Sequence, residues 1–265
     1  MISGQEETLA HDEVRRRMDA ALEIAEAAGR LALSFLEQRD TLRVESKGRS
    51  QDWVSAADRD VERAIWDAVR ARFPDDQMVG EEHGTTGSGS KYVWVVDPID
   101  GTLPFLTGQP FWCVSIAVVG PRGIEAGVVH APVLRETWTA MKGAGAFLNG
   151  DRLALDPDAV LTSGNVGYGA TQTTQPDDVG AFASKLYRAG GVFFRVGSGA
   201  LMLCYTASSR LAGYYDPSIN AWDCFAGNLI VEEAGGEVVF EGAIGRAGRL
   251  FAGNPVVVAA LQGLV

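Results

Sequence analysis

Apolar positions along this chain follow a helical spacing at first, a strand-like spacing in the middle, and an alternation of the two towards the end. From about Asp12 to Gln38, Val14, Met18, Ala21, Leu22, Ala25, Ala28, Ala32 and Phe35 recur every three or four residues with Glu and Arg between them. That spacing predicts an amphipathic helix. A second helix is predicted from Ala57 to Phe73 on the stripe Val61, Ile65, Ala68 and Val69, with Pro74 closing it. Gly84 to Ser90 is by composition a mobile loop. Tyr92 to Val96 is a continuously apolar run of the kind found in buried strands.

Beyond Gly108 the pattern turns to strands. Trp112–Val119, Gly123–His130 and Glu136–Met141 are separated by Gly-Pro or Pro signals, which predicts an antiparallel meander, with a Gly-rich hairpin over Lys142–Arg152. The second half alternates. Strands are predicted at Asn165–Gly169, Val192–Val196, Ala212–Tyr215, Val238–Glu241 and Leu250–Gly253, and helices at Pro176–Ala189, Leu201–Ser208, Trp222–Ala234 and Pro255–Leu264. Strands first, then strands alternating with helices, indicate an α+β lobe over residues 1–150 joined to an α/β lobe over 151–265 as one structural unit.

Composition narrows the function. The 265 residues are 46% hydrophobic and 22% charged, ordinary for a soluble enzyme with a sizeable core. A net charge of −11 argues against nucleic-acid binding, which draws its affinity from Lys and Arg. An acidic protein that handles an anion must invert its charge locally, and divalent cations do so. Cys113, Cys204 and Cys224 lie in apolar runs without CxxC spacing, which suits buried thiols in a reducing cytoplasm. No signal peptide or membrane span is evident, so a cytoplasmic protein without a membrane partner is expected. His11, His83 and His130 have no metal-ligand spacing and read as surface or loop residues.

The sharpest chemistry lies in Trp94-Val95-Val96-Asp97-Pro98-Ile99-Asp100-Gly101-Thr102. A buried strand is expected to end at Asp97, where Pro98 turns the chain and aims two carboxylates off the strand end. Hard cations such as Mg²⁺ take carboxylate and carbonyl oxygens, and Asp97, Asp100 and the Ile99 carbonyl offer them. Gly101 and Thr102 would open a short helix beside them. Taken alone, the two Asp residues read more readily as helix caps, with Gly101 a turn residue. Gly80-Glu81-Glu82 and Trp222-Asp223 add further carboxylates, themselves readable as a solvated surface and a cap.

Together these motifs resemble the inositol monophosphatase family, within the lithium-sensitive, metal-dependent phosphatase superfamily. The resemblance rests on Lys47 with Asp52-Trp53-Val54-Ser55-Ala56-Ala57-Asp58, Gly80-Glu81-Glu82, Asp97 to Thr102, and Trp222-Asp223 with Glu232-Glu233-Ala234-Gly235-Gly236. It implies a layered αβαβα sandwich of the inositol monophosphatase and fructose-1,6-bisphosphatase type, and a homodimer. It also implies a phosphomonoesterase that hydrolyses a small polyol or alcohol phosphate by attack of a metal-activated water, with inositol monophosphate as the first candidate substrate. Histidinol-phosphate phosphatase and a non-catalytic regulatory protein are the alternatives.

The resemblance assigns a first Mg²⁺ to Glu81, Asp97 and the Ile99 carbonyl, and a second to Asp97, Asp100 and Asp223, with Glu81 helping to place a third. Thr102, bonded to Asp58, would orient the water. Asp100, Gly101, Thr102, Gly197, Ser198, Gly199, Asp216 and Asp223 would face the substrate. Asp58 also reads as a helix cap, Lys47 as an electrostatic or merely solvated charge, and Asp216-Pro217 as a turn. The chain departs from the family in Leu103-Pro104, where Thr-Asn is common, in Asp216, where glutamate is usual, and in Gly199, where alanine is common. These departures bear on the substrate more than on the metals.

Overall fold

A computed structural model describes residues 2–37, 44–46, 53–87, 89–171 and 174–265. The first helix, α1 (Ile2–Glu37), is followed by the hairpin β1 (Val44–Ser46) and β2 (Trp53–Ser55) and then α2 (Ala56–Arg72). Next come β3 (Gln77–Gly80), β4 (Gly84–Thr86), β5 (Val93–Asp100), the short α3 (Thr102–Leu106), β6 (Cys113–Gly120), β7 (Gly123–Ala131), β8 (Glu136–Met141), β9 (Gly145–Leu148) and β10 (Asp151–Arg152). The second half runs β11 (Asn165–Tyr168), α4 (Pro176–Arg188), β12 (Val192–Phe194), α5 (Gly199–Ala207), β13 (Gly213–Ile219), α6 (Ala221–Glu233), β14 (Glu237–Phe240), β15 (Gly248–Gly253) and α7 (Pro255–Gln262).

The strands form an eight-stranded sheet ordered β10-β9-β8-β7-β6-β5-β3-β4 and a five-stranded sheet ordered β12-β11-β13-β15-β14. The expected meander is the run of antiparallel pairings from β5 to β10. In the smaller sheet β11 runs parallel to β12 and β13, and β15 runs antiparallel to both of its neighbours.

Alternation of side chains across each strand gives every sheet two faces, and both faces of both sheets are apolar enough to need cover. Three cores result. One joins α1 and α2 to one face of the large sheet through Val14, Ala21, Val61, Ile65, Trp94, Ile116 and Val128. A second lies between the sheets, where Val95, Ala117, Val129 and Trp138 meet Leu201, Leu203, Leu229 and Ile230 of α5 and α6, with Leu250 and Ala252 closing the far side. The third places Phe182, Leu186, Val257 and Leu261 of α4 and α7 against Val166, Tyr215 and Phe251. Helices, sheet, helices, sheet, helices is the αβαβα sandwich. The near-complete apolarity of α5, and of α6 between Cys224 and Val231 apart from Asn228, follows from their central place, since both of their sides face a sheet.

The outer helix α1 is fixed by one buried ion pair. The Arg17 guanidinium donates to both oxygens of Asp76 at 2.8 and 2.9 Å and lies over the rings of Tyr92 and Phe73, 3.8 and 4.7 Å from their centroids. Trp94 Nε1 donates to the same carboxylate at 2.9 Å, so the cost of burying it is offset by several donors. Among the described residues no helix is long and apolar enough to cross a membrane.

Three expectations change. The run from Gly84, read as a loop, contains β4, which pairs antiparallel with β3 through Met78–Thr86, Val79–Thr85 and Gly80–Gly84; pairing with an existing edge outweighs a composition poor in strand formers. The strand at Val93 does not end at Asp97 but continues to Asp100 through Pro98. Nor does the chain turn at Asp216-Pro217, because β13 carries on to Ile219 with a register irregularity after Asp216.

Candidate metal centre and its cavity

Pro98 is tolerated because β5 is bulged there. Asp97 pairs with Ser115 and Asp100 with Cys113, so three steps on β5 oppose two on β6. In a regular strand residues three apart point to opposite faces; one extra residue restores them to the same side. The bulge thus brings together the two carboxylates, where a turn was expected to do so.

The third carboxylate comes from the start of α6. Asn220 occupies the cap and Asp223 is the third helical residue, its Oδ2 accepting from the backbone N–H and side-chain Nδ2 of Asn220, both at 3.2 Å. Ser115, opposite Asp97 in the ladder, donates its hydroxyl to the carbonyl of Trp222 at 3.0 Å, which ties this helix start to the bulge. One oxygen from each of Asp97, Asp100 and Asp223 then lies within 4.8 Å of the others.

Electrostatics make this cluster unstable as three bare anions. Burial raises the Asp97 carboxyl well above the usual range, and the Glu81 charge is the largest electrostatic contributor after burial. Burial and the neighbouring Asp223 charge push Asp100 up to about 7. Asp223 is raised as well, chiefly by burial. Such a set is relieved by protons or by a hard divalent cation, and its oxygen-only donors fit Mg²⁺. Free oxygens remain for it. Asp97 uses Oδ1 to accept from the Ile99 amide at 2.9 Å. Asp100 concentrates its partners on Oδ2, which accepts from Ser198 Oγ at 2.6 Å and the Ala200 amide at 2.7 Å, and leaves Oδ1 only the longer 3.3 Å contact to Gly199 N.

Gly197-Ser198-Gly199 therefore has a structural part in holding Asp100. Ser198 caps α5 by accepting from Leu201 N at 3.2 Å while its hydroxyl donates to Asp100. Gly199 matters sterically, since a Cβ there would stand 2.7 Å from Ile219 Cδ1. Gly101, at φ +100°, begins α3, and a Cβ would meet the Phe111 carbonyl at 2.7 Å, which restricts the position to glycine. The Thr102 hydroxyl reaches the Ile99 carbonyl at 3.4 Å. Pro104 sits in the first turn of α3, where its missing N–H is harmless, and Leu103 is exposed on the cavity wall.

The cluster opens into a cavity of 480 Å³ lined by Asp100, Leu103, Arg195, Ser198, Asp216, Asn220 and Asp223, among others. Asp216 is buried and doubly held: the Tyr214 hydroxyl donates to its Oδ2 at 2.6 Å and the Ser218 amide to its Oδ1 at 2.9 Å. Burial still pushes it up to about 7. A Cβ on Gly169 would fall 1.8 Å from Asp216 Oδ2, so only glycine fits opposite it. Arg195, absent from the sequence-based set, lines the same cavity with Nε donating to the Ala170 carbonyl at 2.9 Å. Two residues before Gly197, it had no spacing signal to mark it. Glu81 follows β3, while Asp58 lies buried in the first turn of α2. Lys47 lies outside the described residues.

Fold and acidic cleft together have the architecture of the metal-dependent phosphatase superfamily. The chain belongs to the inositol monophosphatase family, whose profile matches residues 13–262. Curated relatives include a protein named Nus factor SuhB from Haemophilus influenzae, 38% identical over 224 residues (83% of this chain and 84% of the relative), and its namesake from Escherichia coli K12, 37% identical over 254 residues, covering 92% and 93%. Among solved structures, the extragenic suppressor protein suhB of Bartonella henselae aligns with a TM-score of 0.87 at 30% identity, covering 94% of this chain and 98% of that one. The Thermotoga maritima IMPase aligns with a TM-score of 0.82 at 31% identity, over 94% and 98%.

Proposed function

We propose that this protein is an Mg²⁺-dependent phosphomonoesterase acting on a small polyol or alcohol phosphate, with inositol monophosphate the first candidate. The observation that carries this reading is the meeting of Asp97, Asp100 and Asp223 oxygens within 4.8 Å, beside a cavity of 480 Å³ that Asp100 and Asp223 line. Two or three cations, held by Glu81, Asp97, the Ile99 carbonyl, Asp100 and Asp223, would supply positive charge for the phosphate and ease deprotonation of the attacking water.

The chain's own groups do the remainder. Thr102 and Asp58 orient the water, with Glu81 beside them. The amides of Gly101 and Thr102 face phosphate oxygens, and Gly197 to Gly199 shape the wall next to the ester. In the same cavity Asp216 accepts from an alcohol hydroxyl on the lone pairs that Tyr214 and Ser218 leave open. Its shorter side chain, compared with the glutamate usual in the family, sets the alcohol deeper. Arg195 adds a cation to the wall of the cavity. Homodimerisation follows the family and is checked by light scattering.

Relatives named Nus factor SuhB give a second reading, a regulatory role, and the family also suggests histidinol phosphate as substrate. Phosphate release from a panel containing inositol 1-phosphate and histidinol phosphate, with Mg²⁺ and then with chelator, separates the three. Turnover of inositol 1-phosphate alone supports the first reading, preference for histidinol phosphate the last, and no turnover of any ester the regulatory one.

A further inference from the structure

We propose that Glu62 is a positioning residue for the metal centre, acting through the turn that carries Glu81. The inference rests on the reading of Glu81 as a metal ligand given above.

Glu62 belongs to α2, one turn after Asp58, and its side chain is wholly buried. A buried carboxylate needs donors, and this one finds them at a single place. Its Oε2 accepts from the Glu82 amide at 2.8 Å, and its Oε1 from the His83 amide at 2.8 Å; the His83 ring nitrogen Nδ1 lies 2.7 Å from Oε1. Two consecutive backbone N–H groups of the Glu81–His83 turn thus close on one side chain. On the other side of Glu81, Gly80 leaves the space the carboxylate fills: a Cβ there would stand 2.5 Å from Glu62 Cδ and 2.6 Å from each oxygen.

Both neighbours of Glu81 are consequently registered against α2. The Glu81 charge is already the largest electrostatic contributor raising Asp97, so its placement is felt at the cluster. Burying an acid is costly unless its oxygens are satisfied, and both Glu62 oxygens are held by the one turn. Its geometry gives what a neutral group cannot, acceptance from two adjacent amides and a ring at once. Outer partners that orient a ligand typically govern metal affinity 10- to 100-fold.

The test is Mg²⁺ binding by calorimetry to the full-length protein, with hydrogen exchange of the 80–86 segment as a second readout. Glu62→Gln keeps the shape and loses one acceptor. It should bind Mg²⁺ about 10-fold more weakly or worse and exchange the Glu82 and His83 amides faster. Gly80→Ala, which displaces the Glu62 carboxylate without touching an acid, should do the same and serves if Glu62→Gln fails to fold. Wild-type Mg²⁺ affinity in either folded variant overturns the proposal, since lost stability alone would lower the unfolding midpoint and leave affinity in place. Glu81→Ala separates the two readings. Weak binding in Glu81→Ala with wild-type binding in Glu62→Gln strikes only the positioning role, whereas wild-type binding in Glu81→Ala removes Glu81 as a ligand.

Discussion

Ser198 donates its hydroxyl to Asp100 Oδ2 at 2.6 Å across 98 residues of sequence, joining the helix between the two sheets to the bulge of the large one. Ser198 Oγ also accepts from the Leu201 amide at 3.2 Å, so one side chain caps α5 and orients a carboxylate. The second half of the chain thereby sets the geometry of a site whose sharpest motif lies in the first half.

Replacing Ser198 by Ala removes both interactions. The cap and the charge-assisted hydrogen bond together should cost about 1–3 kcal/mol, read by denaturant unfolding. Mg²⁺ affinity should fall as well, because Asp100 loses its shortest partner. Unchanged stability and unchanged Mg²⁺ affinity would show that the bond does neither job.

Removing metal exposes a pH dependence of stability. Asp100 and Asp216 are both pushed up to about 7 by burial, so the folded protein keeps protons there that the unfolded chain releases near pH 4. Between those limits the native state binds more protons, and the stability of the metal-free protein should fall as pH rises from about 4 to about 7. Added Mg²⁺ should flatten the Asp100 part of this slope. Thermal unfolding across that range, with chelator and with Mg²⁺, checks both. Stability rising with pH in chelator would contradict the arrangement.

Tyr214→Phe takes a buried hydroxyl from Asp216 Oδ2. Because that hydrogen bond favours the ionised acid, its loss should raise the Asp216 pKa further and cost on the order of 1–3 kcal/mol. On the proposed reading, in which Asp216 accepts from the substrate alcohol, KM should rise severalfold while kcat changes less. A fall in kcat at constant KM would move Asp216 from the alcohol to the reacting end.

How much of this could be read from sequence depends on the distance over which each feature is determined. The run from Val93 to Thr102 announces itself, because apolar strand residues, two acids and a glycine lie in one window. The bulge that aligns Asp97 with Asp100 does not, since it is a mismatch with Ser115 and Cys113 on β6. Proline at position 98 reads equally as a turn or as a bulge until the partner strand is known. β4 was hidden in a stretch rich in Gly, Thr and Ser because its stability comes from β3, not from its own residues. Long, periodic helices were legible to within a turn at most ends, although α1 begins ten residues earlier than its clear apolar spacing. Asp223 was visible as an acid at a helix start, and it is both part of the capping arrangement with Asn220 and a member of the cluster. Glu62 and Arg195 escaped notice, since their partners on the Glu81–His83 turn and at Ala170 are 20 or more residues away.

Asp97 holds the central claim, for its carboxylate shares the cluster with Asp100 and Asp223 and is raised well above the usual range, by burial first and then by the Glu81, Asp100 and Asp223 charges. Asn imitates its protonated form, so Asp97→Asn should fold with an unfolding midpoint at or above that of the metal-free wild type. Phosphate release from inositol 1-phosphate in Mg²⁺ is the direct measurement. The wild type should turn over with Mg²⁺ and stop with chelator, and Asp97→Asn should show no turnover at any Mg²⁺ concentration. Near-normal turnover in Asp97→Asn, or wild-type turnover that survives chelation, would contradict a metal-dependent phosphatase centred on this cluster.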